Sequence, residues 1–442
     1  MPYRMESDFL GSVKIPSQVY WGINTQRAIE NFKISGHILG EEHPKLIEAY
    51  ALVKKASAKA NGELGEIPSV KVDAIIQACD EIIEGKLLDQ FKIDVVQGGA
   101  GTSTNMALNE IIANRALEIL GYKKGQYDII NPNDDINKSQ STNDTYPAAL
   151  KLCIYFVVSD LKKTIQKLID AFEKLAKDNK SHHLMGVTQL RNAVKMSYYD
   201  LFHGYAYSLS DAMVNIDNSL TVMSEIALGG TAIGTGIGAN EKFGPLAVKY
   251  LNEFTGIKFI FSKEAVSIIS DPGNFATVSS ALKQFALRID KISNDIRLLS
   301  SDNFDNFTIP PKQLGSSIMP AKINPVIPEA MNAVAMIVIG NDGIIDNALK
   351  SGQLQLNHFT PLIAHKLLES IFELKNVLII FTKDCVKDIK VNFHPHYRPN
   401  NDADFLTHLM LKVGYKAATQ IKVEAQARAV SLKIIAKEKG LI

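Results

Sequence analysis

Leu282-Lys283-Gln284-Phe285-Ala286-Leu287-Arg288-Ile289-Asp290-Lys291-Ile292-Ser293-Asn294-Asp295-Ile296-Arg297-Leu298-Leu299 reads as a helix on its spacing alone. Leu282, Phe285, Ala286, Ile289, Ile292, Ile296 and Leu299 recur at three- and four-residue steps, the apolar stripe of a long amphipathic helix. Val158, Leu161, Ile165, Leu168, Phe172 and Leu175 repeat the pattern. Several such helices between about 145 and 390 predict an extended bundle in a mainly α fold. Residues 1 to 140 are mixed, with helical patterns near 46–62, 68–86 and 105–120 broken by Gly, Pro and polar turns. A Pro- and Asn-rich break at 392–402 precedes a short, basic, helical tail. Three parts follow: 1–140, a central long-helix segment 141–391, and 392–442.

Residues 222–236 and 330–340 carry little charge. A helix apolar all round is buried on every side, and the natural partner in a chain of this size is another copy. An oligomeric bundle is therefore expected, with a central helix of a monomer as the alternative.

Composition narrows the partner classes. At 442 residues the chain exceeds one ordinary core. With 46% hydrophobic and 21% charged residues it is globular in composition. A net charge of +1 leaves no electrostatic footprint for nucleic acid or an anionic membrane, so a small substrate is expected. Cys79, Cys153 and Cys385 are widely spaced and read as buried thiols of a reducing cytosol. The first residues, MPYRMESDFLGS, lack the apolar run of a signal peptide. Runs such as Val377–Phe381 are far shorter than the roughly 20 residues a membrane span needs, so a cytoplasmic protein is expected.

The chemistry concentrates in Gly315-Ser316-Ser317-Ile318-Met319-Pro320-Ala321-Lys322-Ile323-Asn324-Pro325. Two hydroxyls follow a glycine, where the backbone has unusual freedom, and two prolines stiffen what comes next. Lys322 and Asn324 supply a cation and an amide suited to a carboxylate. The segment reads either as a polar turn or as a mobile loop built for proton abstraction beside an acid group. Ser139-Gln140-Ser141-Thr142-Asn143-Asp144 and Gly99–Asn105 pose a similar choice between helix N-caps and an anion site. The two are compatible, because free N–H groups at a helix start favour a carboxylate.

Gly229–Gly238 suggests a nucleotide loop, but Asp217–Leu228 before it reads as helix and the third glycine of the dinucleotide fingerprint is missing. A packing turn is the better reading. His182-His183 and His394-Pro395-His396 lack zinc-site spacing and read as solvated or turn histidines. No nucleophile elbow of the GxSxG type appears.

The loop at 315–325 resembles the GSSxMPxKxNP loop of the aspartase/fumarase superfamily, and other segments match that family in order. Gly22–Phe32 is similar to its GxxTxRAxxNF, and Gln97–Asn109 to QGGAGTSxNMNxNE. Asn131–Asp144 is similar to HPNDxVNxSQSxND, and Ala227–Gly236 to ALGGTAxGTG. Gly352-Gln353-Leu354-Gln355-Leu356-Asn357 looks like the GQLQLN of the aspartase branch, and Gln189 stands where fumarases carry His. The resemblance implies a three-domain fold and a homotetramer with a twenty-helix core, each active site shared by three subunits. It implies reversible deamination of L-aspartate to fumarate, with no metal or organic cofactor. By position, Ser316 would remove the Cβ proton, with Ser317 its loop neighbour and Lys322 and Asn324 as carboxylate ligands. Thr102, Ser141, Thr142, Asn143 and Thr188 would hold the substrate's carboxylates and amino group. Gln189 and Glu329 would stand where fumarases pair His with Glu.

Two segments depart from the family pattern. Gly186–Lys195 lacks the arginine, acid and proline of GRTxLQDAxP, and Asp302–Thr308 replaces a Gly- and Arg-containing stretch. Hydration of fumarate, release of a larger amine, or a non-catalytic scaffold role therefore stand beside deamination.

Overall fold

A computed structural model describes residues 2–392 and 402–442, and the histidines at 394 and 396 lie outside them. The chain is mainly helical and falls into two compact units. Unit 1 comprises 1–163, 212–286 and 335–375, and unit 2 comprises 164–211, 287–334 and 376–442.

In chain order the first half contains β1 (Tyr3–Asp8), β2 (Gly11–Pro16), α1 (Ile23–Asn31), α2 (Leu39–Glu42), α3 (Pro44–Glu63), α4 (Ser69–Ile83), α5 (Thr102–Ile119), α6 (Thr142–Asp178), β3 (His183–Thr188), β4 (Arg191–Ser197) and α7 (Tyr198–Thr221). There follow β5 (Glu225–Ile226), α8 (Phe243–Thr255), β6 (Ile260–Phe261), α9 (Ala265–Ser270), α10 (Gly273–Leu299), β7 (Phe307–Thr308), α11 (Val326–Lys350), α12 (Thr360–Asp384), β8 (Lys390–Val391), α13 (Asp402–Val413), α14 (Tyr415–Ala427) and α15 (Leu432–Glu438). The five long helices α6, α7, α10, α11 and α12 each contribute residues to both units.

The apolar periods fall where the spacing places them. Val158, Leu161, Ile165, Leu168 and Phe172 of α6 are fully buried, and so are Phe285, Ala286, Ile289 and Ile296 of α10. Among the described residues, no helix is long and apolar enough to cross a membrane.

Residues 222–236 are not the apolar helix the sequence suggests. The helix before them ends at Thr221, two-residue β5 pairs in parallel with β6, and glycine turns follow. Gly234 has a φ of +92°, and an added Cβ would lie 2.3 Å from the Val266 amide nitrogen. Left-handed backbone and close approach both require glycine there, and a helix can accommodate neither. In α11 the 330–340 face is split: Met331, Ala335 and Val338 are buried, whereas Met336 and Ile337 are exposed in the single chain.

In unit 1 the start of α1 is capped from a distance. The buried Glu110 carboxylate accepts the Gly22, Asn24 and Thr25 N–H groups at 2.8, 2.8 and 3.1 Å, and the Thr25 hydroxyl at 2.6 Å. A carboxylate at a helix N-terminus satisfies donors that have no partner inside the helix.

Also in unit 1, His43 Nε2 lies 2.9 Å from His365 Nδ1. Burial first, then the second imidazole, lowers the His43 pKa from 6.5 to about 4. The folded state thus holds His43 neutral where the unfolded chain would protonate it. Its contribution is complete above the unfolded pKa and is lost as pH falls through the folded one. The difference is worth about 3 kcal/mol. Urea titrations between pH 7 and 4 are expected to show the stability of the unsubstituted protein falling relative to that of His43→Gln as pH decreases, whatever other groups such as Asp144 add to both. An unchanged slope in the variant would assign the acid sensitivity elsewhere.

Candidate active site

Unit 1 holds Thr102, Ser141, Thr142 and Asn143, and unit 2 holds Thr188, Gln189, Ser316, Ser317, Lys322, Asn324 and Glu329.

In unit 1 two helix starts are linked. Gly101 precedes α5 with a φ of +90°, and an added Cβ would lie 2.5 Å from the Tyr146 ring. Glycine therefore lets the α5 start sit against α6, with Thr102 exposed at its first position. Asn105 Nδ2 donates to Thr142 Oγ1 at 3.1 Å, while Tyr50 Oη donates to Asn105 Oδ1 at 2.9 Å and lies 2.7 Å from Thr145 Oγ1. Ser141 caps α6: its Oγ accepts the Asn143 N–H at 3.2 Å, and its own N–H reaches Asp144 Oδ1 at 3.0 Å. Ser141 thus caps the second helical residue while the Asp144 carboxylate reaches back to the cap's own N–H, one half of a capping box. The structure shows the Ser139–Asp144 string as a cap, and capping leaves Thr142 and Asn143 at a helix start, where free N–H groups favour anions.

Beneath them lies a buried charge that the sequence reading did not single out. Lys54 Nζ donates to Asn137 Oδ1 at 2.9 Å and Gln140 Oε1 at 3.1 Å. Burial lowers its pKa to about 7, against the pull of Asp144. In sequence it is one lysine of a Lys54-Lys55 pair on a helix, indistinguishable from a solvated one.

In unit 2 Thr188 and Arg191 are cross-strand partners, joined by a turn whose residues Gln189 and Leu190 have φ of 51° and 57°. Two successive left-handed residues are the geometry of a tight hairpin turn. Gln189 borders a cavity of about 350 Å³ with Gly186, Tyr205, Lys291, Asp295 and Phe304.

The serine loop is pinned at its neck. Gly315 N–H donates to Lys322 O at 2.6 Å, Asn324 Nδ2 to Gly315 O at 2.9 Å, and Leu314 bridges Ile323. A Cβ on Gly315 would lie 2.6 Å from Asn324 Cγ, so glycine serves close approach here rather than a special φ. Within the loop, Ser316 Oγ accepts the Ile318 and Met319 N–H groups at 3.2 and 2.9 Å. Donors aimed at an oxygen favour its anionic form. Lys322 and Ser317 are exposed, and Asn324 borders a second cavity, of about 750 Å³, with Arg297, Thr308, Asp388 and Lys390. Glu329 lies in the first turn of α11, with Arg297 Nη2 3.9 Å from its carboxylate.

Comparison with known proteins gives a consistent picture. A family model described as lyase matches residues 11–340. The aspartate ammonia-lyase of Helicobacter pylori is 42% identical, over 99% of this chain and 94% of its own length. That of Escherichia coli is also 42% identical, over 88% of this chain and 82% of its own. Among solved structures, a fumarate lyase:delta crystallin from Brucella melitensis bound to cobalt superposes with a TM-score of 0.95 at 41% identity, covering 100% of this chain and 96% of that one. A class II fumarase from Schistosoma mansoni gives 0.94 at 28% identity, with the same coverage. The pinned serine loop and these matches along most of the sequence agree: the chain belongs to the lyase family, within the aspartase/fumarase superfamily.

Proposed function

We infer that this lyase converts L-aspartate reversibly to fumarate and ammonia. The observation that carries the reading is 42% identity, across nearly the whole chain, to an aspartate ammonia-lyase. The serine loop supports it, with Ser316 Oγ in reach of two backbone N–H donors. In this reading Ser316 takes the Cβ proton and the substrate carboxylate becomes a doubly charged enediolate. Lys322, Asn324 and the hydroxyls of Thr102, Ser141, Thr142 and Thr188, with Asn143, hold the substrate's carboxylates and amino group from the ground state through the enediolate. The C–N bond then breaks and ammonia departs. Gln189 is neutral at every accessible pH and offers no acid–base partner for water addition, which supports deamination over hydration.

The proposed assembly is a homotetramer in which three subunits complete each site. Met336, Ile337 and Ile344 on α11 and Phe372, Ile379 and Ile380 on α12 are exposed in the single chain and need an apolar partner. Residues 141–391 supply its bundle, flanked by 1–140 and 392–442. A cytoplasmic setting suits the three free, buried thiols Cys79, Cys153 and Cys385.

The test offers fumarate with ammonia, water or larger amines, with light scattering on the same sample. Aspartate formation by a tetramer, with negligible malate, is expected. Malate forming faster than aspartate at saturating ammonia would replace this reading with a hydratase. Addition of larger amines alone would point to the altered 187–195 and 302–314 segments. A stable, active monomer would refute the shared site.

A further inference from the structure

We propose that Asp144 is a positioning residue, tying the helix start that carries Ser141, Thr142 and Asn143 to the glycine-rich segment at 227–238. The inference rests on the assignment of those three residues to substrate binding. Its basis is convergence. Asp144 Oδ1 accepts the Ser141 N–H at 3.0 Å, and Oδ2 accepts the Gly229 and Thr231 N–H groups at 3.1 and 2.9 Å, across 85 and 87 positions of sequence.

The far side is shaped for this. Gly229 and Thr231 have φ of 85° and 58°, and their N–H groups meet at one point, a backbone cradle for an anion. A Cβ at Gly229 would lie 3.0 Å from Gly244 Cα, so no larger residue fits without displacement. A second tie lies beside the first: Asn143 Nδ2 donates to Ala232 O at 2.7 Å. A candidate substrate ligand therefore takes its orientation from the segment that Asp144 holds.

Only a carboxylate suits the junction. Its two oxygens accept all three N–H groups at once, whereas an amide must set its own NH₂ against at least one of them. The side chain is buried, and burial raises its pKa to about 7 against the pull of these donors and Lys54. Such a group holds its place through fixed partners rather than solvent.

The test compares Asp144→Asn with Leu150→Ala, a fully buried position on the same helix and away from the tie. In Asp144→Asn, KM for aspartate and the inhibition constant of succinate are expected to rise at least ~10-fold with kcat within a factor of about three. Leu150→Ala should lower the melting temperature and leave KM unchanged. A folded Asp144→Asn protein with unchanged KM overturns the proposal, and so does an equal KM rise in Leu150→Ala.

If Asp144→Asn does not fold, the unmodified protein decides. Amide exchange at Gly229 and Thr231 should be slow and slow further with succinate, because coupling between ligand and tie is reciprocal. Exchange indifferent to succinate refutes it. A wild-type protein that neither deaminates aspartate nor binds succinate would instead remove the functional reading, independently of any variant.

Discussion

Ser316→Ala is expected to lower kcat for aspartate deamination by at least ~10²-fold while leaving the protein folded, because it removes the only group assigned to take the Cβ proton. A serine hydroxyl is a weak base in water and must be helped. Here its oxygen accepts two backbone N–H groups, from Ile318 and Met319, which favours the alkoxide over the neutral hydroxyl. The alanine variant keeps the neck of the loop, since Gly315, Lys322 and Asn324 are joined through backbone groups and the Asn324 amide. Loss of activity with unchanged melting is thus a loss of chemistry. Turnover followed at the fumarate absorbance decides it, and near-normal deamination would remove Ser316 from the role.

Lys322→Ala is expected to act on binding. The Lys322 side chain is exposed and is the only cation between Gly315 and Pro325. A hydrogen bond to a charged group contributes about 1.5–3 kcal/mol, which corresponds to roughly 10- to 150-fold in KM. Lys322→Arg is not a conservative control, since a planar fork replaces a compact ammonium. KM for aspartate and the inhibition constant of succinate should rise together, as expected when ground and transition states lose the same contact. A KM within about three-fold of wild type would remove Lys322 from the carboxylate clamp.

The long helices were legible in the sequence because their cause is local: an apolar residue every three or four positions needs only its own turn to declare a face. The same holds for the Ser141–Asp144 cap, whose partners lie three residues apart. The resemblance of the serine loop also stands on contiguous residues. Contacts between distant segments were hidden. The apolar run 222–236 counts as a helix by composition, yet glycine turns and the approach of Gly234 to Val266 make it a loop. In the string Gly315 is a source of backbone freedom, whereas tertiary packing shows that it makes room for Asn324. Lys54, Asp144 and the His43–His365 pair look like ordinary polar residues in the string, because burial and partnership are properties of segments brought together. Sequence by itself determined the long helices, the Ser141 cap and the resemblance of the serine loop. Only the tertiary structure decided which polar groups lie buried against one another, because charge, desolvation and close approach depend on distance in space rather than along the chain.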